Sequence, residues 1–256
     1  MTLPAELLAR LTAPVTGRSF VGADLRGVNL ADARLEHLDL TNANLDGANL
    51  ERAQLRWVTL NHASLAGARL RGARAMYVDA MGVDLGTADA AHSRWEHVNF
   101  LDARLVNAVL TRSMMRSCTL ERADLSGAEL GDASIVYSNG DKANFSGAYL
   151  HRLETIGSTF EAAVLKTARS FFLARELVVS VLRREIAGDL PRAKLIGAVA
   201  VWPRWCYAEW KAILDQDPTY REVALEIFRR YPESGAAKAL EDGWSMASER
   251  SDGLRA

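Results

Sequence analysis

A large apolar residue returns at every fifth position from Phe20 to Leu165, in one register and without insertion. Leu25, Leu30, Leu35 and Leu40 begin the series, and 25 of its 30 positions are large and apolar. Ala75, Ala80, Ala90, Gly140 and Thr155 are the exceptions, and none shifts the phase. A step of five suits neither standard element. On an α-helix successive leucines would rotate by about 140° and scatter round the axis, and on a straight strand they would alternate faces. The chain must therefore turn once per repeat. Two residues before each centre stands a small residue, alanine at 17 of 29 sites, as a cramped inward position requires. The other three slots are mostly polar and are expected to face water.

A longer period sets the number of sides. In the small slot every fourth repeat departs from alanine, giving the column Leu38, Val58, Val78, Val98, Cys118, Ser138 and Ser158. Two residues after the centre a second twenty-residue column reads Gly27, Gly47, Gly67, Thr87, Asn107, Gly127 and Gly147, as if one corner needs positive φ or close backbone approach. Both columns predict a coil of twenty residues with four unequal sides. Thirty repeats then make about seven and a half coils, roughly 36 Å long at the usual strand spacing.

The stretches Ala23-Asp24-Leu25, Ala43-Asn44-Leu45, Ala48-Asn49-Leu50, Ala123-Asp124-Leu125 and Ala143-Asn144-Phe145 match the motif A(D/N)LXX, and on them the segment resembles the pentapeptide-repeat family. The resemblance implies a mainly β fold, a right-handed quadrilateral β-helix with the central Leu and Phe side chains stacked inside. Trp95 shares a predicted coil with Ala80 and Ala90 and follows Ala75 in its column. A repacked core explains that grouping by compensating volume; a locally opened coil exposing Trp95 is the other reading. Gly140 and Thr155 mark a weaker region near the last coils.

The ends need caps, because an open stack exposes unpaired strand edges. Residues 1–17 are expected to hold a capping helix over 4–12, with Leu7, Leu8 and Leu11 inward. Residues 18–167 form the solenoid, and 168–256 an α-helical domain for capping, dimerisation or partner binding. Its expected helices run over 168–187, from Pro191 to about Trp202, from Pro203 to about Leu214, from the Asp217-Pro218 cap, and from Pro232 towards Gly243. The tryptophans Trp202, Trp205, Trp210 and Trp244 and the thiol Cys206 are expected in its core or at a dimer or partner interface.

Charge limits the function classes. The chain carries net charge −1, split as 1 − 1 = 0 over residues 1–17, 15 − 18 = −3 over 18–165 and 15 − 13 = +2 beyond. Direct nucleic-acid binding is not expected from so balanced a chain. Cys118 and Cys206 suggest neither a disulfide framework nor a zinc site, and a reducing cytoplasm is the expected home. Leu195 to Trp202, the longest late apolar run, is far below membrane-spanning length.

No phosphate-binding loop, HExxH helix, paired CxxC or GxSxG elbow occurs, so the chain reads as non-enzymatic, with no cofactor and no metal. His37, His62, His92, His97 and His151 fall in outward slots. Asp24, Asp39, Asp79, Asp84 and Asp124 read as local hydrogen-bonding groups at turns, with a recognition role as the alternative.

The candidate partner surface is the fourth side and its corner. There the outward column runs His37, Trp57, Tyr77, His97, Ser117 and Tyr137, flanked by Arg34, Arg74 and Arg94 before the centres and Arg56 and Arg116 after them. Aromatic residues mixed with arginine are typical of binding hot spots. Two other readings stay open: the patch docks the chain's own C-terminal helices, or it has no partner.

The leading expectation is a macromolecule-binding scaffold that presents this rigid face to a protein. The family resemblance implies an alternative, a DNA mimic that binds type II DNA topoisomerase (gyrase) and confers antibiotic resistance. The near-balanced charge and the long helical segment count against it. A third possibility is a structural spacer whose helical domain self-associates as a homodimer.

Overall fold

In a computed structural model the described residues are 18–171, 174–200 and 207–241. The expected helix over residues 4–12, and Trp202, Trp205, Cys206 and Trp244, lie outside them. Residues 18–169 form a parallel β-solenoid whose every pairing joins residue i to residue i+20. Arg18 pairs with Leu38 and Ser19 with Asp39 at one end, and Tyr149 bridges Arg169 at the other. One six-stranded parallel sheet runs through Arg34–Glu36, Gln54–Arg56, Arg74–Asp79, Arg94–Asn99, Met114–Arg116 and Ser134–Val136. The other sides are too short for more than one bridged residue per coil, as in Asp24 to Asn44 and Asn144 to Val164.

Corners explain the period. The residue two after every centre is left-handed, at nine glycines and twenty-one other residues, with φ between 52° and 69°. Three sides close each corner with a hydrogen bond from the small-slot amide to the central carbonyl, such as Ala43 to Leu40 at 2.9 Å and Ala48 to Leu45 at 2.9 Å. This corrects the glycine column: positive φ is needed at every corner, not at one. A Cβ on Gly27 or Gly47 would meet nothing, so no close approach selects glycine there. Non-glycine residues tolerate the conformation because the corner amide is held in the ladder, as Asn42 N–H is by the Asn61 carbonyl at 2.9 Å.

On the fourth side the corner lacks that tight bond for Leu38, Val58, Val78, Val98, Cys118 and Ser138. The strand runs on, most fully at Arg74–Asp79 and Arg94–Asn99, and the wider corner admits a side chain larger than alanine. That is the physical origin of the non-alanine column.

Inside, the central residues and small-slot alanines form one buried core. Trp95 is buried, pairs directly with Ala75, and donates its indole N–H to Ser93 Oγ at 2.6 Å. The repacked-core reading is therefore correct at this position. Gly140 is also compensated: a Cβ there would lie 2.5 Å from the Phe160 ring, which fills the space. Thr155 gives its hydroxyl to Glu176. Neither marks a weak coil; each makes room for something from the next layer.

After Arg169 come helices α1 (Arg175–Glu185), α2 (Leu190–Ala200), α3 (Tyr207–Leu214), α4 (Pro218–Phe228) and α5 (Ala236–Glu241), with a 3-10 turn at Pro232–Ser234. The first starts later than the expected residue 168, because Ala168 is still buried in the solenoid core and Arg169 still pairs with Tyr149. Asp217 caps α4 by accepting from the Thr219 amide at 2.9 Å. Helix α1 covers the last coil. Elsewhere a small-slot carbonyl accepts the amide 21 residues on, as Ala143 accepts from Val164 at 2.9 Å. Ala163 has no further coil, and the Arg184 guanidinium donates to it instead at 3.0 Å. Ser180 Oγ likewise donates to the Phe160 carbonyl at 2.6 Å. Among the described residues no helix is long and apolar enough to cross a membrane.

Candidate interaction surface

The fourth-side sheet positions three outward columns. Before the centres stand Arg34, Gln54, Arg74, Arg94 and Met114; after them Glu36, Arg56, Met76, Glu96 and Arg116; at the corner His37, Trp57, Tyr77, His97, Ser117 and Tyr137. Gln54, Arg74, Arg94 and Met114 are successive register partners, so two like charges sit on adjacent strands. Like charges so placed are destabilising. The fold bears that cost without an internal counter-ion.

The corner column is a stack. His37 and Trp57 lie 4.6 Å apart between ring centroids, Trp57 and Tyr77 6.2 Å, and Tyr77 and His97 5.1 Å, with interplanar angles of 20°, 10° and 9°. Bulky residues are rare at positive φ, yet here the left-handed backbone, with φ of 52° to 55°, aligns the rings from coil to coil. Trp57 is 44% exposed, Tyr77 46% and Tyr137 59%. Arg56 lies 4.2 Å from the Trp57 ring centroid and Arg116 5.8 Å from that of Tyr137.

Among the described residues most solenoid arginines on the other sides are ion-paired; Arg169, which lies against the Tyr149 ring, is not. Arg26, Arg52, Arg104 and Arg122 pair with Asp24, Asp32, Asp84 and Asp102 at 2.7, 2.7, 2.9 and 2.6 Å. Arg69, Arg71, Arg112 and Arg152 also have acidic partners within 4.0 Å. Arg34, Arg56, Arg74, Arg94 and Arg116 have neither an ion pair nor a side-chain hydrogen bond among the described residues. This division was missed in the sequence. Spacing alone does not give it, since Arg34, Arg56, Arg94 and Arg116 also have an acid two or twenty residues away.

All nine proposed surface residues, Arg34, Arg56, Trp57, Arg74, Tyr77, Arg94, His97, Arg116 and Tyr137, are exposed along this side. Helix α1 packs on the last coil, and the column stays exposed with all the described helices in place, which removes self-docking by those residues. The acidic set has the local role expected of it: Asp39, Asp84 and Asp124 accept the amide two residues on at 3.0, 2.8 and 3.0 Å. Asp79 instead accepts from Asn61 and Asn99 at 2.8 and 2.9 Å.

Among the described residues no cluster of three or more His, Cys, Asp or Glu could hold a metal ion. His37 and His97 are separated in their column by Trp57 and Tyr77. Burial pushes the Cys118 thiol up to about 12, so it stays protonated and unreactive at neutral pH.

The model for pentapeptide repeats matches residues 19–56, 53–89 and 96–132, with 8 copies. The solenoid belongs to the pentapeptide-repeat family. Among solved pentapeptide-repeat neighbours, a trypsin-treated variant of QnrB1, a plasmid-mediated fluoroquinolone resistance protein, is 15% identical with a TM-score of 0.45, covering 59% of this chain and 81% of its own. HetL of Nostoc sp. strain PCC 7120, involved in heterocyst differentiation regulation, is 20% identical with a TM-score of 0.25, covering 68% and 97%. A thylakoid-lumen protein of Arabidopsis thaliana is 23% identical with a TM-score of 0.27, covering 48% and 69%. No curated protein matches the sequence.

Proposed function

We propose that this pentapeptide-repeat protein is a non-enzymatic scaffold whose fourth side binds another protein. One observation carries the reading: five arginines without ionic partners, Arg34, Arg56, Arg74, Arg94 and Arg116, gather beside the exposed ring stack, while Arg26, Arg52, Arg104 and Arg122 on the other sides are neutralised. A rigid ladder holds these groups at low entropic cost, which favours recognition by preorganisation. Affinity capture from the native cell extract, with wild type and with Arg74→Glu/Arg94→Glu, tests it. Partners lost with the double reversal support the reading; an unchanged set removes this face as the contact.

A DNA mimic directed at type II topoisomerase is the family-derived alternative. It needs uncompensated negative charge along the rod; here part of that charge is neutralised, since Asp24, Asp32, Asp84 and Asp102 each bind a neighbouring arginine, and the fourth side is cationic. A gyrase supercoiling assay, with and without a quinolone, decides it, and no effect at micromolar protein removes it. The spacer reading is tested by light scattering on the full chain, where a monomer would exclude self-association.

A further inference from the structure

Resting on the reading above, the chemistry of this face specifies the class of partner. We infer that it takes an acidic segment of a partner polypeptide.

Charge comes first. Five exposed arginines stand against two glutamates, Glu36 and Glu96, in the same columns, inside a repeat domain whose overall balance is 15 − 18 = −3. The face is therefore a local cationic strip on an otherwise acidic rod. Register partners Arg74 and Arg94 repel each other, and a carboxylate placed between them relieves that repulsion.

The rings add to this selection. Stacking covers the inner faces of the His37, Trp57, Tyr77 and His97 rings and turns their edges to solvent. Aromatic edges are the positive part of the ring quadrupole. The Trp57 indole N–H and the Tyr77 hydroxyl make no side-chain hydrogen bond among the described residues, so both are free to donate to an acceptor. Edge, indole and guanidinium all favour oxygen anions.

The same geometry separates a polypeptide from a nucleic acid. Single-stranded nucleic acid gains much of its affinity by stacking bases on free aromatic faces, and here the inner faces are already occupied. Glu36 and Glu96 would also lie under a continuous phosphate backbone, whereas a peptide can place neutral residues there. From the Arg34 level to the Arg116 level is four strand steps, roughly 19 Å at the usual spacing. About six extended residues, with three carboxylates on one face, would span it.

The test uses the full chain and a fluorescent (Glu-Gly)5 peptide, followed by anisotropy at low salt. Comparison probes are (Gln-Gly)5 and a dT12 oligonucleotide. Arg52→Glu/Arg122→Glu is the control, making the same charge change on another side. The expected result is at least tenfold preference for the glutamate peptide over the glutamine peptide, about tenfold loss in Arg74→Glu/Arg94→Glu, and less than twofold loss in the control. Circular dichroism melts confirm that each variant is folded. Equal binding of the two peptides, equal loss in the control, or tighter binding of dT12 would overturn the inference. Failure here is distinct from failure of the scaffold reading. If Trp57→Ala/Tyr77→Ala abolishes capture from extract while the glutamate peptide does not bind, the face is a contact and its acid preference is wrong.

Discussion

The backbone amide of Cys118 donates to the hydroxyl of Ser138, 3.0 Å away in the next coil. Ser138 repeats the arrangement one level further, its own amide reaching Ser158 Oγ at 3.0 Å. The hydroxyls donate in turn, Ser138 to the Val136 carbonyl at 2.9 Å and Ser158 to the Ile135 carbonyl at 2.8 Å. A buried polar ladder thus takes over where the fourth-side column changes from valine to cysteine and serine.

Ser138→Ala should therefore cost about 1 to 3 kcal/mol, because it leaves the buried Cys118 amide without an acceptor. Cys118→Val, which restores the residue type of the coils before it, should cost less than about 1 kcal/mol, since the thiol makes only long contacts of 3.4 Å to the Trp95 and Arg116 carbonyls. Urea unfolding of both variants checks this. Equal losses would show that packing, not the hydrogen bond, decides the site.

Much of this solenoid was legible because a strict period over thirty repeats leaves few ways to fold. The coil length followed from the twenty-residue columns, since a side with a different corner must admit a different small-slot residue. What stayed hidden depends on atoms from neighbouring coils. Gly140 reads as a weak point until Phe160 is seen in its space, and Arg74 reads like Arg122 until their partners are compared. The helical segment was legible at proline and cap signals such as Asp217, and less so at the start of α1, where solenoid pairing overrides helix propensity.

Gly140→Leu provides a second test, because it restores the apolar repeat and would be stabilising if the pattern alone ruled. The structure gives the opposite sign. Phe160 is fully buried and packs edge-on against Phe145 at 5.9 Å, so it cannot swing away cheaply. Overpacking should cost about 1 to 3 kcal/mol. In Gly140→Leu/Phe160→Ala part of that loss should return, and strictly additive effects would contradict the shared-space account.

Cys118 offers a chemical readout of the closed core. It is buried and its thiol is pushed up to about 12, chiefly by desolvation, so little thiolate exists at pH 8. In a Cys206→Ser background, iodoacetamide should leave the native protein unlabelled for hours and label it within minutes in strong denaturant. Mass spectrometry separates the two, and rapid native labelling would mean that this coil opens.

Acid should weaken the solenoid through its paired aspartates. Hydrogen bonding from the Arg26 side chain, then from its amide, holds the Asp24 carboxyl at about 2. Arg52 and Arg122 lower Asp32 and Asp102 in the same direction by side-chain hydrogen bonds. A carboxylate depressed in the folded state contributes stability that is fully present above its unfolded value, about 3.9, and is lost as pH falls through the folded value. Melting temperature should therefore hold from pH 7 to about 5 and drop between about 4 and 2. These pairs are solvent-exposed, so screening keeps each contribution small. The informative comparison is Arg26→Ala/Arg52→Ala/Arg122→Ala, whose melting temperature should decline less steeply over that acid window. An equally steep decline would assign the acid sensitivity to other carboxylates, with Glu185, bonded to Tyr231 and Arg230, the next to remove.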